Sequence, residues 1–258
     1  MRGKKINLEK LREQTIDMIK ASLGNSITED ELYLKTELFL SSICKDLALH
    51  SFEEVIDWIN YWRNKTTLKI EKIPIKECRK WYTDEKTGNI HHESGQFFSV
   101  VGLRAYSEDR ELAGWDQPIL EQPEIGILGI LVKKINGVFH FLMQAKEEPG
   151  NIDKVHISPT LQATRSNYTR VHGGKLPEYF DIFDKPGSRR ILYSKLQSEE
   201  GGRFLLKNNL NVLIELNEDE INDPPGRFKY LTLYQINKLM MSENIVNSCA
   251  RSVLSCLL

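Results

Sequence analysis

The sequence lacks most of the features that announce a site. Its four cysteines, Cys44, Cys78, Cys249 and Cys256, form no Cys-x-x-Cys pair and no Cys/His cluster. Neither a zinc site nor a disulfide framework is therefore indicated, and buried reduced thiols are the plain reading. There is no GxGxxG, no GxxxxGK[ST] and no GxSxG, so a dinucleotide fold, a P-loop and a hydrolase elbow are without support. Charge of one sign is missing too: 35 Lys and Arg stand against 36 Asp and Glu, for a net charge of -1. That balance argues against nucleic acid as a partner, while a local basic pocket for one diphosphate stays compatible with it. No run is long and apolar enough to span a bilayer, and Met1 to Lys20 alternates charged and apolar residues without the apolar core of a signal peptide. The expectation is a cytoplasmic protein with no membrane partner.

What is present is an ordinary globular composition, 258 residues with 40% hydrophobic and 28% charged, enough to bury a sizeable core. The first sixty or so residues read as helices. Thr28 with Glu31, and Ser51 with Glu54, have capping-box spacing, and Leu32, Leu38, Phe39, Ile43 and Leu47 recur at helical intervals. Such apolar faces are buried against the main domain or against a second subunit, and the sequence leaves both open.

From about Ile70 the runs shorten and Gly and Pro become frequent, the texture of strands and turns. Gln96 to Arg104 reads as a strand. Glu124 to Lys134 and Val138 to Ala145 are apolar segments joined at Asn136-Gly137, a pair suited to the positive backbone angles of a tight hairpin. Gly187-Ser188 is expected to open a helix through Leu196, and Asn211 to Leu216 to form a strand. Asp223-Pro224-Pro225-Gly226 breaks the chain before two C-terminal helices, with Thr232 and Gln235 at capping-box spacing. The sum is an α+β architecture: a helical N-terminal segment over 1–65, then a main domain over 66–258.

Two stretches concentrate functional groups. Gln144 to Asn151 places amides, Lys146 and the carboxylates of Glu147 and Glu148 where the second hairpin strand ends, and polar groups at a strand exit are well placed to line a pocket. Ser158 to Gly174 holds Gln162, Thr164, Arg165, Ser166, Asn167, Tyr168, Thr169, Arg170 and His172. Arginine forks match phosphate oxygens, hydroxyls and amides match sugar hydroxyls, and Tyr or His can move a proton at neutral pH. Against this stands the structural alternative, a solvated loop around Lys146 and half-buried Tyr168 and His172 satisfied by backbone groups. His91-His92-Glu93 is set aside as a metal site, because neighbours on a strand point to opposite faces and no third ligand is suitably spaced. Trp115 is suited either to stacking on a nucleobase or to packing.

Six segments in order carry a resemblance that goes further: HHESGQFFSVVG, GWDQPILEQPEIGILGIL, HFLMQAKEEPGN, SPTLQATRSNYTRVHGG, LQSEEGGRFLLKNN and NSCARSVLSCL. Together, from about Phe52 to the C-terminus, they resemble the NDP-hexose 2,3-dehydratase family of deoxysugar pathways. The resemblance implies a Nudix-like mixed sheet with flanking helices. Leu196 to Gly202 echoes the Glu-Glu and Gly end of the Nudix helix, but Lys195-Leu196 replaces the Arg-Glu pair expected before it. The magnesium-binding array of a Nudix-type hydrolase is thereby incomplete, which makes hydrolysis the second reading and a catalytically silent nucleotide-sugar binding subunit the third.

The activity the resemblance implies is loss of water across C2 and C3 of an NDP-4-keto-6-deoxyhexose, with dTDP-4-keto-6-deoxyglucose as the expected substrate. The product is a 3,4-diketo-2,6-dideoxy sugar nucleotide. No cofactor and no metal is demanded. The expected site has Tyr168 or His172 as proton-transfer residues and Lys146 or Asn167 stabilising the enolate oxygen. Arg165, Arg170 and Arg203 are expected at the diphosphate, Phe98 and Trp115 at the base, and Gln144, Thr164 and Ser166 among the substrate contacts. Family members from antibiotic pathways carry two copies of this unit and the present sequence one, so a homodimer is expected.

Overall fold

The three N-terminal helices begin where side chains satisfy their first backbone amides. The computed structural model describes residues 7–24, 26–109, 111–164 and 175–257. In α1 (Leu8–Leu23) the Asn7 side chain accepts from Lys10 N at 3.1 Å. In α2 (Glu29–Ile43) and α3 (Phe52–Lys65) the Thr28/Glu31 and Ser51/Glu54 pairs form complete capping boxes. Of the two partners left open for the apolar faces, α2 and α3 take the sheet of their own chain with part of those faces, while Phe39 and Ile43 of α2 stay exposed at 36% and 44%. Leu38, Val55, Trp58 and Ile59 are buried in one cluster with Phe139, Phe141 and Met143.

Two sheets follow. The smaller has the order β1-β2-β3-β4-β10, from β1 (Trp81–Thr83), β2 (Ile90–His92), β3 (Ser99–Tyr106), β4 (Gly114–Glu121) and β10 (Phe204–Leu205). The larger has the order β12-β6-β5-β11-β9. Its strands are β5 (Gly126–Ile135), β6 (Val138–Glu147), β9 (Arg190–Ser198), β11 (Asn208–Glu215) and β12 (Phe228–Thr232), with β7 (Val155–Ser158) on β6 and β8 (Leu161–Ala163) on β5. β11 runs parallel to β5 and antiparallel to β9, so the sheet is mixed. Short helix α4 (Phe180–Asp184) precedes β9, and α5 (Leu233–Met240) and α6 (Ser248–Ser255) close the described chain. The architecture is α+β.

The β5–β6 hairpin turns at Asn136 (φ 52°) and Gly137 (φ 80°), with Ile135 paired to Val138. Two consecutive left-handed residues match the right-handed twist of the flanking strands. Alternation along β6 feeds two cores: Phe139, Phe141 and Met143 join the cluster beneath α3, α5 and α6, and Leu142 joins Leu131, Val212, Ile214, Phe228 and Tyr230 on the other face.

The feature that matters most for function is a fork. β5 and β6 stay paired only from Leu131↔Leu142 to the turn. Beyond that point β8 takes the free edge of β5 and β7 that of β6. At the crotch the Thr160 hydroxyl accepts from Leu131 N at 2.9 Å and donates to Leu142 O, so one side chain pairs the amide and the carbonyl that face each other where the strands part.

The expected helix from Gly187 to Leu196 is not formed: residues 190–198 are β9. Ile191, Leu192 and Leu196 are compatible with helical spacing, but the segment pairs along β11 from Asn208↔Ser198 to Glu215↔Arg190. A local pattern cannot register that partner ladder, which overrides weak helical periodicity. Strands cover the expected positions at 96–104 and 211–216, shifted by a few residues, and the two C-terminal helices are present, α5 with the Thr232/Gln235 capping box.

Candidate active site

A cavity of about 340 Å³ opens at the fork, where β5, β8 and the end of β6 face β11 and the first turn of α6. Lys146 enters from β6, Gln162 and Thr164 from β8 and its exit, Glu199 from the exit of β9, Lys207 and Asn209 from the start of β11, and Cys249 from α6. The volume lies at the lower end for small-molecule sites and suits one sugar ring better than a whole nucleotide sugar. A second cavity of about 360 Å³ shares Gln162 and Cys249 and continues past Glu148, His156 and Asn247.

The Lys146 amine is held on one side by a connected set of polar groups. Its Nζ donates to Gln162 O at 3.4 Å and lies 3.8 Å from Glu148 Oε1. Gln162 Nε2 donates to the same carboxylate at 2.8 Å, and Asn247 Nδ2 donates to Gln162 Oε1 at 3.1 Å. Burial pushes the Lys146 ammonium below the ordinary lysine range, and the Glu148 carboxylate works against that. An ammonium poised this way can stabilise a developing oxyanion or release a proton. Burial drives the Cys249 thiol up to about 11, helped by the charges of Glu199 and Glu148, so at neutral pH it is a neutral wall rather than a nucleophile.

Opposite Lys146, Asn209 is fixed by the backbone. Its Oδ1 accepts from Gly126 N at 3.1 Å, which turns its amide nitrogen to the Glu199 carboxylate. Lys207 Nζ donates to Glu124 O. Burial lowers the Lys207 pKa while Glu199 and Glu124 raise it.

Of the residues singled out in the sequence, Lys146, Gln162 and Thr164 share this cavity. Gln144 lies one strand pair away, its Oε1 accepting from Ser158 Oγ at 3.4 Å. Phe98 lies just before β3 of the smaller sheet, with its ring 4.8 Å from that of Trp81. Trp115, whose Nε1 donates to Gln117 Oε1 at 2.8 Å, lines a separate cavity with Leu112 and Gly202. The Arg203 guanidinium is exposed and 3.2 Å from Glu200, while its neighbour Phe204 lines the Lys146 cavity. Arg165, Ser166, Asn167, Tyr168, Arg170 and His172 lie outside the described residues. Glu199 and Glu200 follow a strand, so the helix on which the Nudix echo would place them is absent there. The His91 and His92 rings bind Ser99 Oγ and Ser94 Oγ. Among the described residues no three His, Cys, Asp or Glu side chains cluster as a metal site.

Sequence reasoning passed over Lys207, Asn209, Asn247 and Cys249. A usable signal existed for one of them: Asn209 and Asn211 alternate with Leu210 and Val212 at the start of an apolar run, and the structure buries both amides, where each demands partners. Cys249 carried none, because a lone buried thiol is ordinary.

A family model described as NDP-hexose 2,3-dehydratase matches residues 52–257. A protein of Amycolatopsis orientalis named dTDP-4-dehydro-6-deoxy-alpha-D-glucopyranose 2,3-dehydratase is 42% identical over 228 residues, covering 84% of this chain and 47% of that protein. Proteins of the same name from Saccharopolyspora spinosa and Streptomyces violaceoruber are each 44% identical, over 78% and 72% of this chain and 41% and 42% of their own lengths. The matches thus span less than half the length of each relative. With four-fifths of its length matched by one family model, from the first residue of α3 to the end of α6, the chain belongs to the NDP-hexose 2,3-dehydratase family.

Proposed function

We propose that the chain is a hydro-lyase that removes the C3 proton and the C2 hydroxyl from dTDP-4-keto-6-deoxyglucose. The product is a 3,4-diketo-2,6-dideoxy sugar nucleotide for deoxysugar biosynthesis. The observation that carries this reading is the family match over residues 52–257, and the names of the relatives supply the dTDP-linked substrate. The C4 carbonyl acidifies C3–H and the C2 hydroxyl lies β to it, so elimination runs through an enolate and needs no redox cofactor. The protein must supply a base, a donor to the C4 oxygen and an acid for the leaving hydroxyl.

In this reading Lys146, with its partly desolvated ammonium, donates to the C4 oxygen. Tyr168, His172 and Asn167 act as further proton-transfer or oxyanion groups from the segment that begins one residue after the cavity-lining Thr164. Gln144, Ser166, Arg165, Arg170, Arg203, Phe98 and Trp115 are assigned to the rest of the nucleotide sugar. The reading also includes a Nudix-like fold, a helical segment over 1–65 ahead of a dehydratase domain over 66–258, a homodimer and a cytoplasmic location. The mixed sheet flanked by helices supports the first of these. Among the described residues no helix is long and apolar enough to cross a membrane.

The test is incubation with dTDP-4-keto-6-deoxyglucose in deuterated water, with and without EDTA, followed by intact mass and sugar proton resonances. Loss of one water without added metal, with deuterium at C2, is the expected result. Pyrophosphate cleavage that needs magnesium would make the chain a hydrolase instead, and saturable binding without turnover a binding subunit. Light scattering on the active protein checks the dimer, and a monomeric mass counts against it.

A further inference from the structure

Among the described residues that line the Lys146 cavity, Glu199 is the sole carboxylate. Its position is fixed by three elements at once. Glu199 N donates to Lys207 O at 2.9 Å, which extends the β9–β11 ladder one step beyond Asn208↔Ser198. The Asn209 amide donates to Glu199 Oε1, and Asn209 is itself oriented by Gly126 N at 3.1 Å. A backbone N–H can only donate, so the Asn209 oxygen faces Gly126 and its nitrogen faces the carboxylate, with no second arrangement available. Asn209 is 5% exposed, and a Cβ on Gly126 would come within 2.6 Å of Asn209 Oδ1. The fold thus excludes a side chain at 126 and spends a buried amide to aim one carboxylate.

The other described groups around the cavity are unsuited to abstract a proton from carbon. The Cys249 thiol is held neutral. The Lys207 amine is committed as a donor to Glu124 O. Glu148 accepts from Gln162 Nε2 and Asn247 Nδ2 and faces the Lys146 ammonium, and it borders the neighbouring cavity instead. We propose that Glu199 is the general base that takes the C3 proton, with Asn209 as its positioning residue. This assignment rests on the dehydratase reading above and adds a catalytic residue to it. The C3–H bond breaks with the proton passing to the Glu199 carboxylate, and its electron pair forms the C3=C4 enolate, whose oxygen meets Lys146. As C4=O re-forms, C2=C3 forms and the C2–O bond breaks, the hydroxyl taking a proton and leaving as water. The resulting 3-enol becomes the 3,4-diketone by accepting a proton at C2 and releasing the proton of its C3 hydroxyl.

The experiment compares wild type with Glu199→Gln, Glu199→Asp and Asn209→Ala for kcat and KM of water loss from dTDP-4-keto-6-deoxyglucose, and for dTDP affinity by calorimetry. Glutamine keeps the acceptor for Asn209, so the fold has no reason to change. Expected is a fall in kcat of about 100-fold or more for Glu199→Gln, with unchanged dTDP affinity and partial recovery in Glu199→Asp. Asn209→Ala lowers kcat and leaves KM in place. Turnover by Glu199→Gln within a few-fold of an active wild type overturns the base assignment alone. A wild type that binds dTDP and releases no water overturns the dehydratase reading together with it.

Discussion

Asn247 Nδ2 stands 3.1 Å from Gln162 Oε1 while Asn247 Oδ1 accepts from Ala250 N at 2.8 Å. The side chain that caps α6 therefore also orients the amide that holds Glu148, and through it Lys146. Helix start and site geometry are the same piece of structure.

Replacing that residue separates the two roles. Asn247→Ala is expected to cost about 1 kcal/mol of stability through the lost cap and to lower kcat. Asn247→Ser restores the cap, since serine also accepts from the first turn, but is too short to reach Gln162. It should regain the urea midpoint and stay low in turnover. Full activity in the serine variant removes Asn247 from site positioning.

The Lys146 pKa is lowered by burial and partly restored by Glu148. A protonated donor is present below its folded-state pKa and lost as pH rises through it. The basic limb of kcat against pH is therefore expected below the ordinary lysine value of about 10.4. Glu148→Gln removes the restoring charge and should move that limb further down. Lys146→Met should lower kcat by roughly 100-fold, the scale of one lost oxyanion donor. A limb that ignores Glu148→Gln takes Lys146 out of the titration.

His140 is fully buried, its Nε2 accepting from Leu49 N at 3.0 Å and its Nδ1–H facing Val138 O at 3.0 Å. Burial pushes the imidazole down from 6.5 to about 4. Between those values the unfolded chain binds a proton and the folded chain does not, so stability is complete above the upper value and lost as pH falls through the window. The full effect is roughly 3 kcal/mol. Urea denaturation at pH 6.5 and 5 should show the loss in wild type and a smaller one in His140→Gln.

Gly126→Ala forces a methyl against Asn209 Oδ1, 2.6 Å away. Overpacking of this kind costs about 1–3 kcal/mol, and a lower urea midpoint is expected together with lower turnover. Gly102→Ala, where the added Cβ meets nothing within 4 Å, serves as the control and should change neither.

What the sequence determined by itself is local or carried in runs of residues. The three capping boxes and the Asn136-Gly137 turn depend on side chains within four positions of one another, so their chemistry is complete in a short string. The ordered segments sufficed for the family. Tertiary structure alone decided that 190–198 is a strand, because the ladder that holds it is supplied by β11. It decided equally that Lys146, Thr164, Glu199, Asn209 and Cys249 border one cavity. These residues come from separate elements across more than a hundred positions, and what joins them is the parting of β5 from β6. That fork is a relation between backbones and leaves no periodicity to read, whereas a cap or a turn is written in its own few side chains.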